Sequence, residues 1–329
     1  MEFSEIEEIE IEEDSLKIKN ISARTGNNFM LYMLLWALVS QLLFGTISEV
    51  LSLIGIPMGL GTILITGQVL SLFLPFLVYV IVKRKKVRLR ELLPMKKLGI
   101  INILIMLGML IALYPTIMFL AAVSSLVLPN VVPEVMENLF NYHFLIGFFI
   151  IAIVPSIFEE ITFRGIIYHE YKNVKIHKSA LMNGLFFGII HLNFHQFIYA
   201  FILGILLTYL TYYTRSFLAP FLAHVFFNGS QFILGIIATN LTDSEIVQYA
   251  TTVYEEPSML IMLIALAIVA TLFFPLFVLL FWVFKKHNEE KHGKIQQPQT
   301  GEKVWTLSVW FIVPIFLIVA TLFWLVMIL

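Results

Sequence analysis

Apolar residues fill this chain in long, nearly unbroken blocks separated by short polar breaks. They lack the two-residue alternation of a half-buried strand, so the pattern predicts helices. The blocks place them near Phe29–Leu51, Leu60–Val82, Ile100–Leu126, Leu145–Tyr168, Ala180–Asn193, Phe197–Tyr213, Phe217–Ile237, Met259–Phe284 and Trp305–Leu329. A hydrocarbon core of about 30 Å takes roughly 20 helical residues to cross, and only the fifth and sixth blocks fall short. The expectation is an all-α fold, a polytopic membrane bundle of about nine transmembrane helices.

Charge sharpens this picture. If the N-terminus is cytoplasmic, one side of the membrane receives Lys17, Lys19 and Arg24, the run Lys83 to Arg90, Lys96 and Lys97, Lys172, Lys175 and Lys178, Arg215, and Lys285 to Lys303. The opposite loops, around Ile56, Pro129–Tyr142, Leu192–Gln196 and Thr239–Pro257, contain no Lys or Arg. That is the positive-inside asymmetry, and it predicts an integral, multi-pass protein with its N-terminus inside. Composition agrees, with 59% hydrophobic residues, 13% charged residues and a mean hydropathy of +0.90. A net charge of −1 offers nothing to a nucleic acid, and the absence of cysteine excludes disulfides and thiol catalysis. The chain divides into an acidic cytoplasmic tail over 1–28, N-terminal membrane helices over 29–142, a candidate core over 143–238, and C-terminal helices over 239–329 with a polar linker at 285–304.

Ionisable side chains inside a membrane span are costly, so each marks a candidate site. The fourth block holds Glu159 and Glu160 in an otherwise apolar helix. Glu160 stands four residues before Arg164, the favourable order for an ion pair on one helix face, whereas Glu159 has no basic residue at that spacing. An unpaired carboxylate suits a group that takes and returns a proton. The fifth block carries Gly184, Gly188 and His191 on one stripe, and small residues there permit close helix contact. The seventh carries His224 and Asn228 four residues apart, pointing the same way. At about 1.5 Å per residue, Glu159 lies roughly 14 Å from Tyr168, His191 roughly 18 Å from Ser179 and His224 roughly 12 Å from Ser216. The three reach one level near the midplane. His143, His169, His177 and His195 fall at helix ends or in loops, where solvated or interfacial rings are expected. Pro115 and Pro155 lie inside spans and are expected to kink them.

Glu159-Glu160-x-x-x-Arg164, Phe187-x-x-x-His191 and His224-x-x-x-Asn228, in that order, resemble the signature of the CAAX-protease and bacteriocin-processing (CPBP, or Abi) family of intramembrane peptidases. The resemblance covers roughly Leu145 to Leu234. The family usually has Thr-Gly-Ser before its third motif, where this chain has Thr214-Arg215-Ser216. The resemblance implies that Glu159 activates a water with His191, that His224 and Asn228 hold the oxyanion, and that Glu160 and Arg164 support them. Glu159, His191 and His224 would also make a zinc site with a water in the fourth position, and the same groups would work without metal. The resemblance further implies a membrane-bound peptide or lipidated protein as substrate: a prenylated C-terminal tail, or a bacteriocin or pheromone precursor. With the site nearer the cytoplasmic side, a substrate reaching it from that face or through the inner leaflet is expected.

Two other function classes fit the same residues. A non-catalytic peptide-binding or bacteriocin self-immunity protein would use the polar cluster for recognition alone. A proton-coupled transporter would use its Glu and His residues as a relay, although the chain shows no internal repeat of the kind many transporters carry.

Overall fold

The computed structural model describes residues 21–83, 87–128, 137–242, 259–298 and 302–328. The acidic stretch Glu2–Asp14 therefore lies outside the described residues. The membrane helices are α1 (Ala23–Leu53), α2 (Leu60–Lys83), α3 (Ile100–Ser125), α4 (Phe144–Glu170), α5 (Ile176–Ile189), α6 (Phe194–Thr214), α7 (Leu218–Thr242), α8 (Met259–His292) and α9 (Leu307–Ile328). Among the described residues, eight of these are long and apolar enough to cross a membrane. The exception is α5, with 14 residues, so the ninth expected span is a shorter helix paired against α6. Apolar side chains such as Leu42, Val82, Leu272 and Trp310 face outward all around the bundle, as they must where the solvent is lipid.

Local chemistry sets the boundaries. Ser22 caps α1 by accepting a bond from the Thr25 N–H at 3.2 Å, so α1 begins at Ala23, two turns before the apolar block. Its far end closes at Gly55, whose φ of +83° is the left-handed geometry of a helix C-terminus; the Ile56 N–H reaches back to the Leu51 carbonyl at 2.8 Å. Asn193 caps α6 by accepting from His195 N–H at 2.8 Å. At the other end of α6, Arg215 takes φ +53°, which explains why a glycine would suit this position. Its guanidinium donates to the His292 and Gly293 carbonyls at 2.7 and 3.0 Å, contacts that offset the strain.

The helices alternate in direction between two ends. At one end the N–H of Ser22 meets Glu170, Lys83 meets the same carboxylate, Ser216 meets the Lys96 carbonyl and Ile176 meets Gln297. This is the basic end. At the other, Ser125 meets His195, Gly61 meets Tyr142 and Trp324 meets the Val127 carbonyl. The core lies between α1, α3, α4, α5, α6, α7 and α9, with Leu72 of α2 and Phe284 of α8 joining it. α8 is held to α3 by a reciprocal amide pair, Asn102 Nδ2 to Asn288 Oδ1 at 3.1 Å and Asn288 Nδ2 to Asn102 Oδ1 at 2.8 Å. That pair carries α8 on as helix through the polar residues 285–292, the first part of the expected linker.

Candidate active site

Three stretches of the bundle widen from α-helical to π-helical geometry. Two of them, Val69–Phe73 and Phe149–Ile153, each end two residues before a proline, Pro75 and Pro155. A proline has no N–H for the preceding turn and crowds the carbonyl four residues back, and the wider turn relieves that conflict. The third, Ile161–Ile167, contains no proline and follows directly on Glu159 and Glu160. Pi-turns concentrate at functional sites, and this one carries Arg164. Pro115, by contrast, sits inside a continuous α3.

Glu160 and Arg164 meet as their spacing suggests, with Arg164 Nη1 donating to Glu160 Oε1 at 2.9 Å, both side chains fully buried. The sequence does not show the third partner. His224 Nδ1 lies 2.9 Å from the same oxygen. A carboxylate paired to an arginine is acceptor-only, so His224 donates through Nδ1 and turns Nε2 the other way. There Nε2 stands 3.8 Å from Glu159 Oε2. That oxygen is buried and has no hydrogen-bond partner. Arg164 is further anchored by Nη2 to the Gly204 carbonyl at 3.0 Å, and its guanidinium lies over the Phe187 ring at 4.8 Å.

Gly204 also explains how His191 arrives. A Cβ on Gly204 would stand 2.9 Å from Gly184 Cα, and one on Gly184 would stand 2.7 Å from the Phe201 carbonyl oxygen. The backbones of α5 and α6 therefore touch, which is the work of the small-residue stripe. This contact sets Phe187 with its ring edge-on to both His191 and His224, at 5.5 Å in each case. His191 donates Nδ1–H to the Phe187 carbonyl at 2.8 Å, so its Nε2 is the nitrogen left for a ligand.

Glu159, His191, His224 and Asn228 line one cavity of about 330 Å³. Sequence reasoning missed Gln68, Gln196, Tyr199 and Gln231, which line it too; none carries a charge at neutral pH, so a search for charge within the spans gave no signal. His143 and His177 are exposed. The other two histidines correct the expectation of solvated rings: His169 is 2% and His195 is 3% exposed. The end of α3 packs over the start of α6, where Ser125 and His195 Nε2 pair at 2.9 Å.

The donor set also bears on a metal. Both rings tie back Nδ1 and present Nε2, the posture of metal-ligating histidine. Yet among the described residues no three His, Asp or Glu side chains are gathered closely enough to hold one ion. Glu159, His191 and His224 do not form a zinc site as they stand.

Residues 141–230 match the family described as Rce1-like, type II CAAX prenyl endopeptidase Rce1-like. That range contains Glu159, Glu160, Arg164, His191, His224 and Asn228. No curated protein matches the chain, and no solved structure does.

Proposed function

From the match of residues 141–230 to a CAAX-endopeptidase-type family inside a multi-pass membrane bundle, we propose that this protein hydrolyses a peptide bond of a membrane-associated peptide or lipidated protein within the bilayer. The observation that carries the reading is the buried Glu159 Oε2, left without a protein partner beside His224 in the cavity it shares with His191 and Asn228.

A water between Glu159 and His191 Nε2 would find an acceptor on each side. Glu159 takes one of its protons as the oxygen bonds to the scissile carbonyl carbon. The displaced π electrons move onto the carbonyl oxygen, which accepts hydrogen bonds from His224 Nε2–H and the Asn228 amide. Because His224 Nδ1–H already donates to Glu160, a donating Nε2 makes the ring an imidazolium. The cluster of Glu159, Glu160, Arg164 and His224 then sums to zero charge. It still does in the tetrahedral intermediate, where neutral Glu159 is balanced by the new oxyanion. Collapse restores the carbonyl, breaks the C–N bond and returns the proton from Glu159 to the leaving amine. Arg164 and Glu160 are positioning residues: Arg164 holds the Glu160 carboxylate, which accepts from His224 Nδ1–H and fixes the ring with Nε2–H turned toward the reacting carbonyl.

The test is mass spectrometry of membrane-associated peptides incubated with purified protein, wild type beside Glu159→Gln. A cut made by wild type alone supports the peptidase. If folded wild type cuts none of the prenylated, pheromone-type and bacteriocin-type peptides but retains one of them, the binding reading replaces it.

A further inference from the structure

A second cavity, of about 480 Å³, opens at the basic end of the bundle. Its walls come from the last two turns of α4, the first turn of α5, the last turn of α6 and the segments that lead into α3 and α9. It therefore sits where the helices leave the membrane. It shares no lining residue with the cavity that holds Glu159, His191, His224 and Asn228.

Arg90, Lys96, Arg164, Lys172 and Arg215 line it, and Glu91 is the one carboxylate among them. Arg164 is paired with Glu160, and Arg215 donates to two backbone carbonyls. Arg90, Lys96 and Lys172 form no ion pair among the described residues, so positive charge is left in excess. α5 begins at Ile176 without a side-chain cap, and the positive end of its dipole adds to the same field.

Two buried atoms show that something is missing. Arg164 Nε and Ser179 Oγ have no hydrogen-bond partner, although their residues are only 2% and 1% exposed and both line the cavity. A buried polar group left unpaired is costly. The guanidinium N–H can only donate and the serine hydroxyl can do so too, so the absent partner is an acceptor, and the surrounding charge makes it an anion.

Size and position narrow its identity. One water needs only about 10–15 Å³ of such space, so the cavity is far larger than a lone inorganic ion requires. Beside the cations the wall is apolar, at Leu92, Val174, Ile176 and Ile295. The positive-inside asymmetry assigns this end to the cytoplasm, where the leaflet carries anionic lipids and basic pockets between membrane helices take their headgroups.

We infer that this cavity binds the phosphate-bearing headgroup of an anionic phospholipid, with Arg90, Lys96 and Lys172 meeting the phosphate at the rim and Arg164 and Ser179 at the buried end. The site goes beyond the peptidase reading and does not rest on it.

The test titrates the full chain, purified and stripped of lipid in a neutral detergent, with dioleoyl phosphatidylglycerol, dioleoyl phosphatidylcholine or inorganic phosphate at constant ionic strength, and follows the thermal midpoint. Phosphatidylglycerol should raise the wild-type midpoint by about 3–6 °C at a hundredfold excess over its Kd, and the other two by less than about 1 °C. The apparent Kd for phosphatidylglycerol should rise at least about tenfold in the double variant Arg90→Gln, Lys172→Gln. It should stay within about twofold in Lys178→Gln, Lys294→Gln, which removes two exposed lysines of the same end that do not line the cavity. An equal response to phosphatidylcholine, an equal loss in both double variants, or no response to any of the three overturns the inference. A response to inorganic phosphate as large as that to phosphatidylglycerol makes free phosphate the occupant and overturns the lipid. If the first double variant fails to accumulate, Lys172→Gln alone carries the comparison, with a loss of at least about threefold expected. A failure of the peptidase reading would instead appear as an absence of cutting with this lipid response intact.

Discussion

Glu159 and Glu170 lie on the same helix, three turns apart, and are treated in opposite ways. Glu170 is completely buried and saturated: Tyr79 donates to it at 2.6 Å, Lys83 at 3.3 Å and the Ser22 N–H at 3.0 Å. Glu159 is buried almost as deeply, yet one of its oxygens has no hydrogen bond at all. A saturated carboxylate is a staple, here joining α1, α2 and α4. A carboxylate left open inside a protein keeps its lone pairs for something the protein does not contain.

The contrast breaks most directly at Glu159. Replacing it with Gln removes the proton acceptor but keeps the shape, and cleavage measured by mass spectrometry should fall by about 10²–10⁴-fold with the protein still at its normal level in the membrane. Unchanged turnover would remove Glu159 from the mechanism. Asn228→Ala sharpens the same side of the comparison. It withdraws one oxyanion donor, so kcat should drop by about 10²–10³-fold with little change in KM; a change in KM alone would make Asn228 a substrate contact.

At the other carboxylate the expectation is inverted. Glu170→Gln should lower the stability of the detergent-solubilised protein by about 1–3 kcal/mol, the scale of hydrogen bonds to a charged group. Its thermal midpoint should fall while kcat of the folded fraction stays put. If kcat fell and the midpoint held, the staple assignment would be wrong. Smallest is the effect of a zinc chelator, which should alter the wild-type rate by less than about twofold because the three donors are not drawn together into a metal site. A loss restored by added zinc would mean that metal gathers His191 to Glu159 and His224.

Much of this was visible in the order of residues. Apolar blocks located eight of the spanning helices, and the rule that charge in hydrocarbon is exceptional isolated Glu159, Glu160, Arg164, His191 and His224. What stayed hidden is contact between residues distant in the chain. Nothing local to Glu160 announces that His224 shares its oxygen with Arg164. Likewise the first two turns of α1 read as tail because they are polar; they are helix because Ala23 N–H reaches Glu302 and Asn27 reaches the Val304 carbonyl. The short α5 misled for a different reason: its glycines make it a packing partner of α6, and a helix sheltered by a neighbour need not be long enough to span alone.

The two asparagines that join α3 to α8 have a consequence for how the chain assembles. Each amide is satisfied only by the other, apart from the bond Asn288 makes to the Phe284 carbonyl in its own helix. Along an otherwise uniform apolar surface, Leu and Ile side chains would tolerate many sliding positions of α8. A displacement of one turn, about 5.4 Å, would separate the two amides and leave each without its partner. The pair therefore works as a detent, allowing a helix made late in synthesis to dock at one height against a helix made early.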